Sequence, residues 1–277
     1  MMLLGDVLKA INAVNPGPGD FVQDGLVYCG DCHEPKQQRV ASQEYGEVLL
    51  PRPCLCGRER ARKDEERRKK AEHTKRVNEL RWAGLWDPSY RKMTFDKDDS
   101  PTSPASVISR RYLANWGEMR KSGCGILYHG SVGTGKTFYA ACIANELMER
   151  NVAAYTTTIP RILGQIQAGW NAKEIISTIN SNPLLVIDDL GTERNTDYAL
   201  EQLFAVIDAR SMSHKPTIIT TNLSMQELTS AKDLQHKRIY DRVLEMCPIR
   251  VRMVGPSRRE SNAKEKAELA SRIMGGG

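Results

Sequence analysis

Eight consecutive residues, Gly130-Ser131-Val132-Gly133-Thr134-Gly135-Lys136-Thr137, confine this chain to a small set of folds. They fit G-x-x-x-x-G-K-[ST], a loop whose glycines let the backbone curl until several N–H groups face one anion. Lys136 adds a charge that reaches the β/γ-phosphates of a nucleotide, and Thr137 offers a hydroxyl to Mg²⁺. The helix after such a loop sets its positive end against the phosphates. Both flanks agree. Gly125 to His129 reads as a short buried strand, and Phe138 to Arg150 as a helix with Phe138, Ala141, Ala144, Leu147 and Met148 turned inward. A glycine-rich turn matching by chance would not carry that frame. The expected fold class is α/β: a parallel sheet flanked by helices around a nucleotide.

A second stretch supplies matching chemistry. Asn182-Pro183-Leu184-Leu185-Val186-Ile187 is the continuous apolar run of a parallel strand covered on both faces. It ends in Asp188-Asp189, at the strand end where α/β sheets bind ligands. Asp188 suits a residue that holds Mg²⁺ through water, and Asp189 one that orients a water at the γ-phosphate. An acidic turn after a core strand is the plainer alternative. Thr217 to Asn222 is a further strand, ending in an amide. Ile108, Tyr112, Trp116 and Met119 give one helical stripe, Val152 to Tyr155 a strand, Ile159 to Ala168 a helix, and Leu200, Leu203, Phe204 and Ile207 another stripe. Arg238 and Arg242 stand four apart on a predicted helix. Ile249 to Val254 is the last strand, before Gly255-Pro256-Ser257-Arg258-Arg259 and a solvated helix over Glu260 to Met274.

The N-terminal part has another character. Leu4, Val7, Leu8, Ile11 and Val14 predict an amphipathic helix, either a cover for the small cysteine module after it or a docking surface. Cys29-Gly30-Asp31-Cys32 and Cys54-Leu55-Cys56 then resemble the two halves of a zinc ribbon. Each pair offers two thiolates from a tight turn, enough for a tetrahedral Zn²⁺ site. The second pair is C-x-C rather than C-x-x-C, a tighter bite, and His33 is a poor substitute ligand beside Cys32. Four reduced thiols without metal are the alternative. Cys124, Cys142 and Cys247 stand apart and read as small core residues. From Gly57 to Arg81 the chain holds 11 Lys/Arg against 6 Asp/Glu, which is most of the formal charge of +6. This should be an exposed helix, serving as a spacer or as a basic arm toward phosphates or an acidic partner.

The boundaries expected are 1–57 for the zinc-binding module, 58–81 for the basic helix, 82–260 for the ATPase domain and 261–277 for a terminal helix and glycine tail. No apolar run approaches the ~20 residues of a membrane span. Met1-Met2-Leu3-Leu4 is no signal peptide, so a cytoplasmic location is expected.

Together these motifs resemble the AAA+ ATPases that load bacterial replicative helicases, the DnaC/DnaI type. Ile187-Asp188-Asp189-Leu190-Gly191-Thr192-Glu193 carries the resemblance, since the family has Asp-Asp-Leu-Gly where most AAA+ proteins have Asp-Glu. Lys215-Pro216-Thr217 through Thr221-Asn222-Leu223 looks like its sensor I strand. Arg238 to Val243 looks like its box VII, and Gly255-Pro256-Ser257-Arg258 like its sensor II. The resemblance covers Trp82 to Arg259. The cysteine module is similar to the zinc-binding, helicase-docking domain of the DnaI branch.

The resemblance implies that Asn222 polarises the water, that Arg242 (or Arg238) is an arginine finger acting on a neighbouring subunit's ATP, and that Arg258 touches the γ-phosphate in cis. It also implies a replicative DnaB-type helicase, single-stranded DNA and further copies of this chain as partners. Too few residues follow Asn222 for a full helical lid. Two other readings remain open: a transposase-helper ATPase of the IstB type, and a zinc-containing adaptor whose nucleotide site is a switch with negligible hydrolysis.

Overall fold

The computed structural model describes residues 15–43, 46–192, 196–231 and 233–275. The amphipathic stretch read over Leu4 to Val14 lies outside the described residues, as do Glu193 and the last two glycines. The chain divides into two compact units, Met1–Lys75 and Arg76–Gly277.

The first unit is built from short antiparallel pairs. Strands β1 (Phe21–Gln23) and β2 (Leu26–Tyr28) form a hairpin through Asp24-Gly25. Both turn residues have positive φ, the type I′ geometry that Asp-Gly accommodates. A second hairpin joins β3 (Gln37–Ser42) and β4 (Gly46–Pro51). Helix α1 (Leu55–Gly84) begins in this unit and ends in the second. Its charged face is laced by pairs three and four apart, such as Arg62 with Glu59 and Glu66, which support an exposed helix.

The second unit has three layers. Helices α2 (Pro104–Ala114), α3 (Trp116–Ser122) and α4 (Lys136–Glu149) cover one face of a five-stranded sheet. The strands are β5 (Ile126–Gly130), β6 (Ala154–Thr158), β7 (Leu184–Leu190), β8 (Thr217–Thr221) and β9 (Ile249–Met253), ordered β6-β7-β8-β5-β9 and all parallel. Helices α5 (Ile159–Gln167), α6 (Ala172–Ser181), α7 (Asp197–Met212), α8 (Met225–Thr229) and α9 (Leu234–Met246) pack on the other face. Alternation along each strand divides the core: Ile126 and Tyr128 face α4, whereas Leu127 faces the opposite layer. After β9, a single 16-residue helix, α10 (Arg258–Ile273), stands where a multi-helix lid would be, among the described residues.

One expectation needs correction. The stripe from Ile108 to Met119 is two helices, because Asn115 breaks it. The Asn115 side chain donates to the Arg111 carbonyl, a local bond that competes with helical continuation. Phe138 is also only half-buried.

Candidate functional site

The C-terminal ends of β5, β7 and β8 meet above the N-terminus of α4. The loop between β5 and α4 needs glycine for two different reasons. Gly130 and Gly133 have φ of 125° and 79°, and a Cβ on either would collide with Met253 O or with the Ser257 side chain. The chain after β9 therefore packs directly on the loop. Ser131 N–H donates to Met253 O, and Arg258 N–H to Gly133 O. The Lys136 ammonium folds back onto the carbonyls of Gly130 and Ser131, at 3.0 and 2.7 Å. Burial draws it below the ordinary lysine range, against the opposing pull of Asp189 and Asp188.

The two aspartates reach one cavity through a bulge. Consecutive residues of a regular strand point to opposite faces. Here the register runs Ile187 with Ile219, then Leu190 with Thr221, three steps on β7 against two on β8. Asp189 takes up the extra residue with φ 61°, and its N–H donates to Thr220 Oγ1 instead of the ladder. Both carboxylates consequently line a cavity of about 520 Å³ with Gly133, Lys136, Thr137 and Arg258. That volume suits a nucleotide-sized ligand.

Asp188 is held from three sides. Thr137 Oγ1 donates to Oδ1 at 2.8 Å, Thr220 Oγ1 to the same oxygen at 2.6 Å, and Tyr90 OH to Oδ2 at 2.6 Å. The Thr137 hydroxyl and the Asp188 carboxylate are hard oxygen donors already side by side, the donor chemistry Mg²⁺ takes. Asn222 Nδ2 donates to Asp189 Oδ1 at 2.9 Å. Burial first, and the Asp188 charge second, push the Asp189 carboxyl above the usual range.

Sequence reasoning missed Tyr90, Thr220 and Asp99. Tyr90 lies on the 3₁₀ turn Pro88–Lys92, well before the phosphate loop in the chain. Buried Asn145 of α4 fixes that segment by donating to the carbonyls of Tyr90 and Met93. Asp99 pairs with Arg258 at 2.7 Å. No local pattern marks such residues. A tyrosine 98 positions from its aspartate partner is found only once the chain is folded.

The arginines part company. Arg258 lines the cavity, whereas Arg242 pairs with Asp208 and Glu245 on the α7–α9 side, both at 3.3 Å. Arg238 lies over the Phe204 ring, 5.3 Å from its centroid. Neither lines the cavity of its own chain.

The cysteines of the first unit converge. Cys29, Cys32 and Cys56 Sγ lie within 4.8 Å of one another. The Cys54 thiol is buried near Cys29 and Cys32 but lies outside that group of three. Thiolates around Zn²⁺ at about 2.3 Å stand roughly 3.8 Å apart, so the three clustered thiols fit the ion and nearby Cys54 is the candidate for its fourth position. Backbone N–H groups of Cys56 and Glu34 hold the Cys32 thiol down to about 6, and the Cys32 side chain pushes Cys56 up to about 11. Cys142 and Cys247 are buried in the second unit and Cys124 is half-buried, apart from the cluster. Among the described residues no helix is long and apolar enough to cross a membrane.

Comparison with known proteins adds a family. The model of the IstB-like ATP binding protein family matches residues 55–267. The replicative helicase loader DnaC of Escherichia coli (strain K12) is 30% identical over 122 residues, 42% of this chain and 49% of the relative. The replicative helicase loader DnaI of Bacillus subtilis (strain 168) is 27% identical over 154 residues, 50% of this chain and 49% of the relative. The chain thus spans about half the length of the curated relatives it matches. Among solved structures, a crystal structure of the DnaI aligns with a TM-score of 0.53 at 26% identity, covering 63% of this chain and 94% of that one. A crystal structure of the DnaC helicase loader gives 0.50 at 25% identity, covering 61% and 100%.

Proposed function

This chain belongs to the family of IstB-like ATP binding proteins, and on that premise we propose that it is a Mg²⁺-dependent ATPase that loads a replicative, DnaB-type helicase onto single-stranded DNA. One observation carries the enzymatic part: the bulge in β7 brings Asp188 and Asp189 into the same cavity as Lys136 and Thr137. The loop from Gly130 to Thr137, with Ser131, Val132, Thr134 and Gly135 between, receives the phosphates. Thr137 and Asp188 would hold Mg²⁺, which would supply positive charge at the phosphates. Asp189 and Asn222 orient the attacking water, and Arg258 reaches the γ-phosphate. The curated relatives named above are helicase loaders, so the transposase-helper alternative is set aside.

The remaining assignments rest on the same reading. Cys29, Cys32, Cys54 and Cys56 hold one Zn²⁺ in a helicase-docking module over 1–57, followed by the basic helix 58–81, the ATPase domain 82–260 and the end segment 261–277. The protein acts in the cytoplasm and self-associates on the helicase. The position of Arg242, paired on the surface rather than turned into its own cavity, supports a finger that completes a neighbour's site.

Mixing variants tests this. Arg242→Ala and Lys136→Ala are each expected to lack turnover, yet together they form junctions pairing an intact loop with an intact finger. Partial recovery of ATPase activity, stimulated by single-stranded DNA and helicase, is the expected result. A mixture that stays inactive while both variants assemble rules out the shared site. Wild-type protein that binds ATP but shows no turnover under any of these conditions favours the switch reading instead.

A further inference from the structure

A second cavity, of about 610 Å³, shares Asn222 with the first. Its walls include His129 at the end of β5, Ser131 of the loop, Ser224 after β8, and Arg252 on β9. Strand β9 is the terminal strand of the sheet, so among the described residues one of its edges carries no partner strand. Arg250 and Arg252 stand on one face of it, in register with Leu127 and His129. Strand geometry places two such residues about 7 Å apart along the edge.

Cations dominate this corner, with one carboxylate nearby: Glu227 accepts from the Ser224 N–H at 2.7 Å in a helix cap. Among the described residues, neither arginine has an ion pair or a hydrogen-bond partner, and the His129 ring has no hydrogen bond, although the residue is only 6% exposed. Burial, then Arg252, Arg250 and Lys136, push the imidazole below its usual range. Charged residues on an edge strand also serve to prevent edge-to-edge pairing. That role needs no recess lined by hydroxyls beside the arginines. Unneutralised cations beside hydroxyl donors make an anion site, and a second cation one strand-step away extends it into a track for a linear polyanion.

We propose that this recess binds the phosphodiester backbone of a single-stranded nucleic acid. Arg252 with the Ser131 and Ser224 hydroxyls takes one phosphate in the recess, and Arg250 takes its neighbour along the edge. A single strand can bend a phosphate into a recess, whereas duplex phosphates lie on a stiff cylinder. No Phe, Tyr or Trp lines the cavity and the His129 ring is only 6% exposed, so binding is to backbone and indifferent to sequence. The choice of ligand rests on the loader reading, but the existence of the anion site does not.

Fluorescence anisotropy of a labelled oligothymidylate tests this on the full chain, over about 50 to 200 mM salt. Arg250→Ala with Arg252→Ala should weaken binding about tenfold at low salt. It should also flatten the log–log salt dependence by about 1.4, since each lost contact to a single strand removes about 0.7. The corresponding double lysine variant keeps both charges and should retain the slope, which guards against misfolding as the cause. A fluorescent ATP analogue should bind the alanine variant as it binds wild type. Unchanged oligothymidylate affinity and slope in that variant would falsify the proposal and leave the ATP reading standing. Wild-type protein that takes the oligothymidylate but not the ATP analogue breaks the ATP reading alone. Displacement of the oligothymidylate from wild type by a hairpin duplex at equal phosphate overturns the single-strand assignment. Tripolyphosphate bound at Arg252 without any oligothymidylate binding overturns the nucleic-acid assignment.

Discussion

The two units of this chain are stabilised by different means. In the first, the buried residues among those described are Val27, Cys29, Gln37 and Cys54, so half of a very small interior is thiol. Gln37 turns its amide oxygen to the Val27 N–H, and Asp20 accepts from the N–H groups of Gly17 and Gly30. These bonds shape turns without burying much apolar surface. In the second unit, Ile126, Leu127, Ile143, Leu147, Leu184, Leu185, Ile187, Ile218 and Ile219 are all essentially inaccessible. At roughly 25 cal/mol per Å² of apolar surface, the second unit has a core that can fold without a ligand, and the first does not. The lesson is about where function sits. A unit that needs an ion to fold makes that ion structural, and a unit with its own core can leave its cavity for an exchangeable ligand.

The contrast can be broken most decisively with a chelator. Structural zinc contributes on the order of 10 kcal/mol to folding of a small module. Removing it should abolish hydrogen-exchange protection in β3 and β4 while β7 and β8 stay protected and ATP-analogue binding persists. Elemental analysis should give one zinc per chain. Equal protection of both units after chelation would contradict the contrast. The reverse experiment is Lys136→Ala. Turnover should fall at least about 10²–10³-fold, the scale of losing one charge donor at a developing anion, with zinc content and melting of both units unchanged. Normal turnover would dismiss the site.

A smaller effect tests the support around Asp188. Tyr90→Phe deletes the donor to Oδ2 and leaves those from Thr137 and Thr220. Partners behind a metal ligand are typically worth 10–100-fold in metal affinity, so the Mg²⁺ concentration needed for half-maximal nucleotide retention should rise about tenfold. Burial and Asp188 keep the Tyr90 hydroxyl protonated, so the effect should not vary with pH in the neutral range. The smallest effect concerns Asp189, whose proposed role of orienting water calls for its ionised form. Its carboxyl is raised, mainly by burial, so turnover should be present at neutral pH and lost as pH falls through a value above the ordinary aspartate 3.8. Asn222→Ala removes an N–H that holds the ionised form, and should move that acid limb higher still. An unmoved limb would mean that another group sets it.

Much was legible in the sequence because the relevant physics is local. The loop from Gly130 to Thr137 needs particular residues at particular backbone angles, and the apolar run Leu184–Ile187 can only be a strand covered on both faces. The cysteine pairs were legible for the same reason, since each lies within one turn. The stripe from Ile108 to Met119 misled because apolar periodicity continues through Asn115 although the helix does not.

The amino-acid sequence by itself thus determined the parallel α/β architecture, the phosphate loop and the paired thiols, all set by periodicity or by spacing within a few residues. Tertiary structure alone decided which side chains surround them. It set Tyr90 against Asp188, put the bulge at Asp189 so that two adjacent carboxylates share a cavity, paired Asp99 with Arg258, and left Arg250 and Arg252 without an ion pair beside His129 on one corner of the sheet. The physical reason is one of range. Backbone angles and alternation are fixed by neighbours along the chain, whereas burial, hydrogen bonding and charge at a site depend on groups far apart along it, whose proximity exists only in the folded molecule.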